Sequence, residues 1–259
     1  SPVLTGGDFA AAFGGELQLS EYRAADFDRR LYPGPDGDVG SFTLTHNLDR
    51  LFFSLRLDFA DIYIGRQAIS WGSAHFINPT DIISPFTFNE LDVEDRRGVD
   101  ALRVRIPVGA LDELDFGYVA GKDFRGENST WFARGKFYLL NTDASLLVMN
   151  FRQNLLLGLD LTRAVGGAGV WLEGAHVVPG FFAQGAVDTD PYTRVSAGVD
   201  YNFPGGWYAF LEYHYSSAGV SDPERYLEIF QRPAVTEGAV YLMGRHYLNA
   251  AVVHQIHPL

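Results

Sequence analysis

Apolar residues alternate with polar or small residues in many short segments of the chain. The segment TRVSAGVDYNF, residues 193–203, is typical, because every second residue from Val195 to Phe203 is apolar and the residues between them are charged, polar or glycine. Successive side chains of a β-strand point to opposite faces. The pattern therefore predicts strands that are apolar on one face and polar on the other.

This alternation recurs often enough to predict twelve strands. Their expected bounds are 9–23, 41–59, 61–71, 98–107, 112–120, 130–140, 143–151, 154–163, 168–178, 192–203, 206–216 and 243–256. Several have about ten residues, the length with which a tilted strand crosses the hydrocarbon core of a bilayer. No amphipathic helix of useful length is expected.

Short and long connections alternate along the chain. Short turns are expected at 59–61, 107–112, 140–143, 163–167 and 204–206, and longer loops at 24–40, 72–97, 121–129, 179–191 and 217–242. The link at Arg152-Gln153 is the exception, since its place in the order calls for a long loop. Short turns at one end and long loops at the other are typical of a transmembrane up-and-down barrel and not of a Greek-key sandwich.

The pattern of a single strand does not distinguish a membrane barrel from a soluble β-sandwich or barrel. A soluble barrel would fill its interior with apolar side chains, whereas here one face of each strand carries Arg, Lys, Asp, Glu, Gly and Ser. Aromatic residues gather near strand ends, as in interfacial girdles: Tyr201, Phe203, Trp207, Tyr213 and Tyr215. We therefore predict an all-β fold, a transmembrane antiparallel up-and-down β-barrel formed by one domain over residues 1–259.

Closure of such a barrel is required, because an unpaired backbone N–H or C=O group in hydrocarbon costs several kcal/mol. The sequence stops at VVHQIHPL, where His257-Pro258 resembles the start of another turn and Leu259 is not a terminal aromatic residue. We expect the barrel to have about sixteen strands, of which the given sequence supplies about twelve.

Charge and composition narrow the possible partners. The net charge of −12 argues against nucleic acid. The absence of cysteine excludes disulfides and thiolate metal sites. No run approaches the ~18 apolar residues of a spanning helix. Because the sequence starts directly at Ser1-Pro2-Val3, we expect a processed or trimmed chain.

The segment from Ile62 to Arg105 has the most individual sequence. It contains GRQ-x-I-x-WG at 65–72, NPTD at 78–81, PF at 85–86 and DRRGVDALR at 95–103. In these motifs, and in GRHYL at 244–248, the chain resembles a poorly characterised group of porin-like outer-membrane barrels of Gram-negative bacteria. Asp95 stands where that group would have Glu. The resemblance implies a Gram-negative outer-membrane location and further C-terminal strands, but no particular substrate.

Residues 72–97 form a connection too long and too apolar to remain free in water. We expect this loop to fold into the lumen and narrow it. Its acidic residues would face a cationic wall and create a transverse field that discriminates solutes by charge. The acidic candidates are Asp81, Asp92, Glu94 and Asp95, and the basic ones are Arg66, Arg96, Arg97, Arg103 and Arg105. Equally, these ions could pair with one another only to hold the loop down.

Further charged residues are candidates for the inward faces of strands: Arg134, Lys136, Arg194, Asp200 and Glu212. Glu212 and His214 share one face of a strand, where a hydrogen-bonded partnership is more plausible than a metal site. No GxSxG motif is present. We therefore expect no enzyme activity, no metal and no cofactor.

Three functions remain in competition. The leading one is a porin-like channel for passive diffusion of small hydrophilic solutes, in contact with outer-membrane lipid and lipopolysaccharide. A homo-oligomer stays open as its state of assembly. The alternative is a sheath around a lumen-filling partner protein, such as a multihaem cytochrome or an export component, which Gly and Ser on the inner face would accommodate. An outer-membrane hydrolase ranks third.

Overall fold

The structure is a computed structural model that describes residues 22–25, 29–33, 42, 44–46, 48–84, 98–185, 189–229 and 242–255. Within these ranges the chain forms thirteen strands. They are β1 Arg29–Tyr32, β2 Leu44–His46, β3 Leu51–Arg56, β4 Asp61–Gln67, β5 Val99–Pro107, β6 Glu113–Val119, β7 Thr130–Leu139, β8 Thr142–Phe151, β9 Asn154–Val165, β10 Ala168–Val178, β11 Tyr192–Phe203, β12 Trp207–Ser216 and β13 His246–His254.

Strands β3 to β13 form one sheet of eleven strands in which each strand pairs antiparallel with the next along the chain. Strands β1 and β2 form a separate two-stranded sheet. The predicted all-β, antiparallel, up-and-down fold is confirmed. Among the described residues, the edge strands β3 and β13 do not pair with each other, so the sheet is open between them.

The predicted bounds hold closely from β5 to β12 and fail near the N-terminus. The expected strand 41–59 consists of β2 and β3, which belong to different sheets. The chain leaves strand geometry between them, where the Leu48 carbonyl accepts a hydrogen bond from Arg66 at 2.8 Å. Residues 24–40 were expected to form a loop and contain β1, while the expected strand 9–23 lies almost entirely outside the described residues.

Helical structure is limited to single turns in the described ranges. They are 3₁₀ turns at Lys122–Phe124, Gly126–Asn128 and Pro223–Arg225, and one α-helical turn at Tyr226–Ile229. No helix in these ranges has the length and apolar character needed to cross a membrane.

The hairpins explain why three links are so short. Leu140-Asn141, Arg152-Gln153 and Gly166-Gly167 each place two consecutive residues at positive φ. Such two-residue turns match the right-handed twist of paired strands. The Arg152-Gln153 link is therefore a tight hairpin at the end where the other connections are long.

The two faces of the sheet differ in kind. One, the apolar face, presents large side chains to the outside, among them Leu146, Leu159, Leu172, Leu211 and Leu248. Leu146 and Leu248 remain 57% and 70% exposed. The other, the polar face, carries the side chains of Arg105, Asp115, Arg134, Glu173 and Glu212. The hydrophobic core lies on this polar face, between the sheet and the chain that follows β4.

That core joins loop residues to sheet residues. Ile69, Trp71, Ile82 and Ile83 of the connection after β4 pack in one cluster with sheet residues. The buried sheet members include Val119, Phe132, Leu147, Met149 and Leu156. The Trp71 and Phe132 rings meet edge to face, with centroids 4.6 Å apart. The described part of the connection is thus a packed layer on the sheet.

Candidate functional site: a loop clasped by buried carboxylates and a row of alternating charges

Glu212 on β12 holds the middle of the loop through its backbone. Its carboxylate accepts hydrogen bonds from the N–H groups of His75 at 2.7 Å and Ile77 at 3.1 Å, and from that of Phe76 at 3.3 Å. The indole N–H of Trp171 donates a further bond at 3.1 Å. Glu212 is fully buried. Backbone N–H groups pointing at one carboxylate satisfy a charge that would otherwise be costly to bury.

Glu173 on β10 holds the two ends of the same loop segment. It accepts from the N–H of Ala74 at 3.1 Å and from the N–H and hydroxyl of Thr80 at 2.9 and 2.7 Å. Gly72 allows this approach, because its φ is +108° and a Cβ there would come within 2.6 Å of Glu173 Oε2. A side chain at residue 72 would push the loop off its anchor.

Three further side chains of the polar face complete the attachment. Arg194 donates to the Pro79 carbonyl at 2.5 Å, and the Ser196 hydroxyl donates to the Ile77 carbonyl at 2.6 Å. His214 lies 2.8 Å from Ser196 through its Nδ1 atom. Because donors and acceptors both meet loop backbone, the segment is fixed in position and in direction.

Glycines on the polar face are covered by neighbouring side chains. A Cβ on Gly198 would collide with the Trp171 ring, and one on Gly117 would collide with the Phe132 ring. A Cβ on Gly158 would come within 2.9 Å of Thr80 in the loop. These glycines therefore make room for the rings and for the loop itself.

The wall beside the loop carries a row of charges that alternate in sign from strand to strand. Direct cross-strand partners run from β3 to β7 in the order Arg56, Asp61, Arg105, Asp115, Arg134. Opposite charges in directly opposed positions stabilise a sheet, and like charges destabilise it. Here like charges lie two strands apart, at roughly 10 Å between backbones.

The cations on β5 are tightly paired. Arg103 donates two parallel bonds to Asp115, at 2.9 and 2.6 Å, and Arg105 donates to Glu113 at 2.5 Å. Asp115 is buried beneath this pair. The cations on β7 are held more loosely, since Arg134 donates to the Ser145 hydroxyl at 2.9 Å and the Lys136 ammonium lies 3.6 Å from Asp143.

A cavity of about 420 Å³ separates the loop from this wall. The connection after β4 contributes Ser70, Trp71 and Gly72. The wall contributes charged and polar side chains of β5 to β9: Arg103, Arg105, Glu113, Arg134, Lys136, Asp143, Ser145, Asp160 and Thr162. Ser73 in the loop donates a hydrogen bond to Asp160 and so links both sides.

The residues predicted for the site fall into several groups. Arg103, Arg105, Arg134 and Lys136 lie together at the cavity. Arg194 and Glu212 are buried beneath the loop as its anchors, and Asp81 is buried within the loop. Asp200 accepts a hydrogen bond from the Tyr208 hydroxyl at 3.1 Å, beside His75. Asp92, Glu94, Asp95, Arg96 and Arg97 lie outside the described residues.

Arg66 lies apart from the predicted arginines that line the cavity. Its register places it with Ile64 and Leu102, on the side of the sheet opposite Arg103. There it is buried, donating to Asp100 at 2.8 and 3.0 Å and to the Ala25 carbonyl at 2.6 Å. The role visible in its contacts is to tie the N-terminal segment to the ends of β4 and β5.

The sequence reasoning missed Glu173, Glu113, Asp115, Asp143 and Asp160. All five lie on the polar face of their own strands, so alternation alone could have marked them. Their partners could not be found in that way, because the bonds of Asp160 to Ser73 and of Glu173 to Thr80 join residues far apart in the sequence. Within the described ranges, no three His, Asp or Glu residues are grouped as a metal site would require.

Comparison with known proteins yields matches among solved structures alone. No protein-family model matches the chain, and no curated protein sequence matches it. Three outer-membrane porins of Pseudomonas aeruginosa are similar in structure. OccK11 (OpdR) has 12% identity and a TM-score of 0.46 over 68% of this chain. The corresponding values are 12%, 0.45 and 67% for OccD3 (OpdP), and 13%, 0.38 and 68% for OccK7 (OpdD). The chain spans 48%, 44% and 64% of these porins, respectively.

Proposed function

We propose that this chain forms the wall of an outer-membrane channel of a Gram-negative bacterium, through which small hydrophilic solutes diffuse passively. One observation carries the proposal. A sheet of eleven antiparallel strands exposes large apolar side chains on one face and buries or encloses its charges on the other. In water this arrangement would leave the apolar face uncovered, whereas in a membrane that face contacts acyl chains and lipopolysaccharide.

Aromatic residues at both ends of the apolar face support this placement. Trp207 and Phe203 oppose each other at the short-turn end, and Tyr213 and Tyr215 lie toward the long-loop end of β12. Trp207 and Tyr215 are eight residues apart, which corresponds to about 27 Å along a strand. At a tilt of about 40° this length spans about 21 Å of membrane, close to the apolar band of about 25 Å between two interfacial girdles.

The loop of residues 72–97 narrows the passage in this proposal. Its described part, residues 72–84, lies on the polar face that would surround the lumen, and the cavity beside it is where solute would pass. Among the described residues, wall cations pair with carboxylates on the neighbouring strand, as Arg103 does with Asp115. In this proposal the alternating row contributes to the field that acts on a passing solute.

The sheath around a partner protein is less well supported. The glycines that would have accommodated a partner are covered by Trp171, Phe132 and Thr80. The loop already occupies the polar face of β10 to β12 through Glu173, Arg194 and Glu212.

Conductance in planar lipid bilayers tests the proposal. The full-length protein is purified in detergent, and its insertion is verified by co-flotation with liposomes. Stepwise ion currents are expected in potassium chloride solution. Protein that inserts stably and gives no current would refute the channel.

A further inference from the structure

The cavity beside the loop contains two cations that are not tightly bound to a carboxylate. Within the described part of the chain, Arg134 bonds through one guanidinium nitrogen to the neutral Ser145, and Lys136 stands 3.6 Å from Asp143. Arg103 and Arg105, in contrast, are committed to Asp115 and Glu113 at 2.5–2.9 Å. A planar guanidinium has five N–H donors. Arg134 thus retains donors for an anionic group.

Two carboxylates of the same cavity retain acceptor capacity. Asp160 receives one hydroxyl bond from Ser73, although a carboxylate offers about four acceptor sites. The Asp143 side chain is 50% exposed and contacts the Lys136 ammonium at 3.6 Å. Both can receive the N–H donors of a cationic group.

The available groups are separated by sign. Both cations are on β7, whereas the carboxylates are on β8 and β9. The register runs from Lys136 to Ser145 to Asp160, so the outer members of this row stand on backbones roughly 10 Å apart. The volume of about 420 Å³ is within the range of small-molecule sites, about 300–1,000 Å³. A solute with a single charge would bond to the groups of one sign only.

We propose that this cavity is a binding site for small zwitterionic solutes, with the solute carboxylate on Arg134 and Lys136 and the solute ammonium on Asp160 and Asp143. This inference rests on the proposed channel function, because it names the class of solute that the channel selects. A zwitterion gains a charge-assisted hydrogen bond at each end. The alternating wall then favours dipolar solutes over simple anions or cations.

A matched series of probes tests the site: 4-aminobutyrate, butyrate and butylamine, which share a four-carbon chain and differ in charge. Binding to the full-length protein in detergent is measured by isothermal titration calorimetry. We expect 4-aminobutyrate to bind roughly tenfold more tightly than either singly charged probe. Equal affinity for butyrate and 4-aminobutyrate would overturn the proposal, as would no binding at all.

Single substitutions separate the two ends of the site. Arg134→Gln should weaken the binding of 4-aminobutyrate and of butyrate roughly tenfold and leave the binding of butylamine unchanged. Asp160→Asn should weaken the binding of 4-aminobutyrate and of butylamine and leave that of butyrate unchanged. Lys136→Gln, at a more exposed position, repeats the first test with less risk to folding. Arg56→Gln removes a cation from the same row outside the cavity and should leave all three affinities unchanged. Unaltered binding in both Arg134→Gln and Asp160→Asn would refute the assignment.

Failure of this inference is distinguishable from failure of the channel. The calorimetric binding requires only folded protein, whereas the potassium chloride current requires an open lumen. A conducting protein without preference for 4-aminobutyrate retains the channel and loses the zwitterion site.

Discussion

At the scale of single residues, the structure shows two ways of keeping charges on an enclosed surface. Glu173 and Glu212 are buried, and each is satisfied by several backbone N–H groups of one loop. On the wall, Arg103 and Arg105 are instead satisfied by carboxylates on the next strand, Asp115 and Glu113. The first arrangement fixes the loop, and the second leaves the cavity polar.

Removal of the Glu212 carboxylate should release the loop. Glu212→Ala leaves three backbone N–H groups without their acceptor, and we expect a loss of about 3–5 kcal/mol in loop attachment. Glu212→Gln, which keeps one acceptor oxygen, should give a smaller effect. Limited proteolysis of residues 72–84 and the open-channel current noise measure the release, and both should increase.

The matched control for this experiment is Asp143→Ala, because Asp143 lies on the same face and contacts Lys136, not the loop. Its proteolysis pattern should remain that of the unmodified protein. If Glu212→Ala left the loop as protected as this control, the carboxylate would not be the anchor.

At the scale of elements, the hairpin turns differ in how well their residues tolerate a positive φ. Gly166-Gly167 adopts positive φ without strain, whereas Arg152 and Gln153 adopt φ of 43° and 69° with bulky side chains. Left-handed backbone costs a residue other than glycine about 1–2 kcal/mol. The β8–β9 hairpin therefore carries a local cost, which the long register between these strands offsets.

Replacement of Arg152-Gln153 by Asn-Gly should stabilise this hairpin by about 1 kcal/mol, because both residues tolerate positive φ. The midpoint of thermal unfolding in detergent, followed by circular dichroism, should rise by a few degrees. The reverse exchange, Gly166-Gly167 to Arg-Gln, should lower it. A lowered midpoint for the Asn-Gly variant would show that the side chains of Arg152 and Gln153 contribute more than their backbone costs.

The strands were predictable from the sequence because each strand has one apolar and one polar face, and this produces an alternation of apolar and polar residues. β10 and β11 begin and end where the alternation does, at 168–178 and 192–203. The break between His46 and Leu51 leaves a trace in the sequence, since the apolar residues change there from even positions (Phe42, Leu44) to odd positions (Leu51). The hydrogen bond from Arg66 to the Leu48 carbonyl was not predictable, because it joins distant parts of the chain. The site was predictable only as a set of inward charges, because the partners of Glu212 lie more than 130 residues away in sequence.

At the scale of the whole molecule, the sheet separates two surroundings. The apolar face presents Leu, Val and aromatic side chains over eleven strands, and the polar face carries the loop, its carboxylate anchors and the row of alternating charges. The channel, the constriction and the zwitterion site all require that lipid contacts the first face and water reaches the second.

The accessibility of single spin labels to oxygen and to a polar nickel complex tests this requirement most directly. The sequence contains no cysteine, so single cysteines can be placed at Leu146, Leu159 and Leu172 on the apolar face and at Lys136, Asp143 and Thr162 on the polar face. In liposomes, labels of the first group should collide mainly with oxygen, and labels of the second group mainly with the nickel complex. Access of the nickel complex to the first group, with the second group shielded from it, would contradict the membrane placement and the channel together.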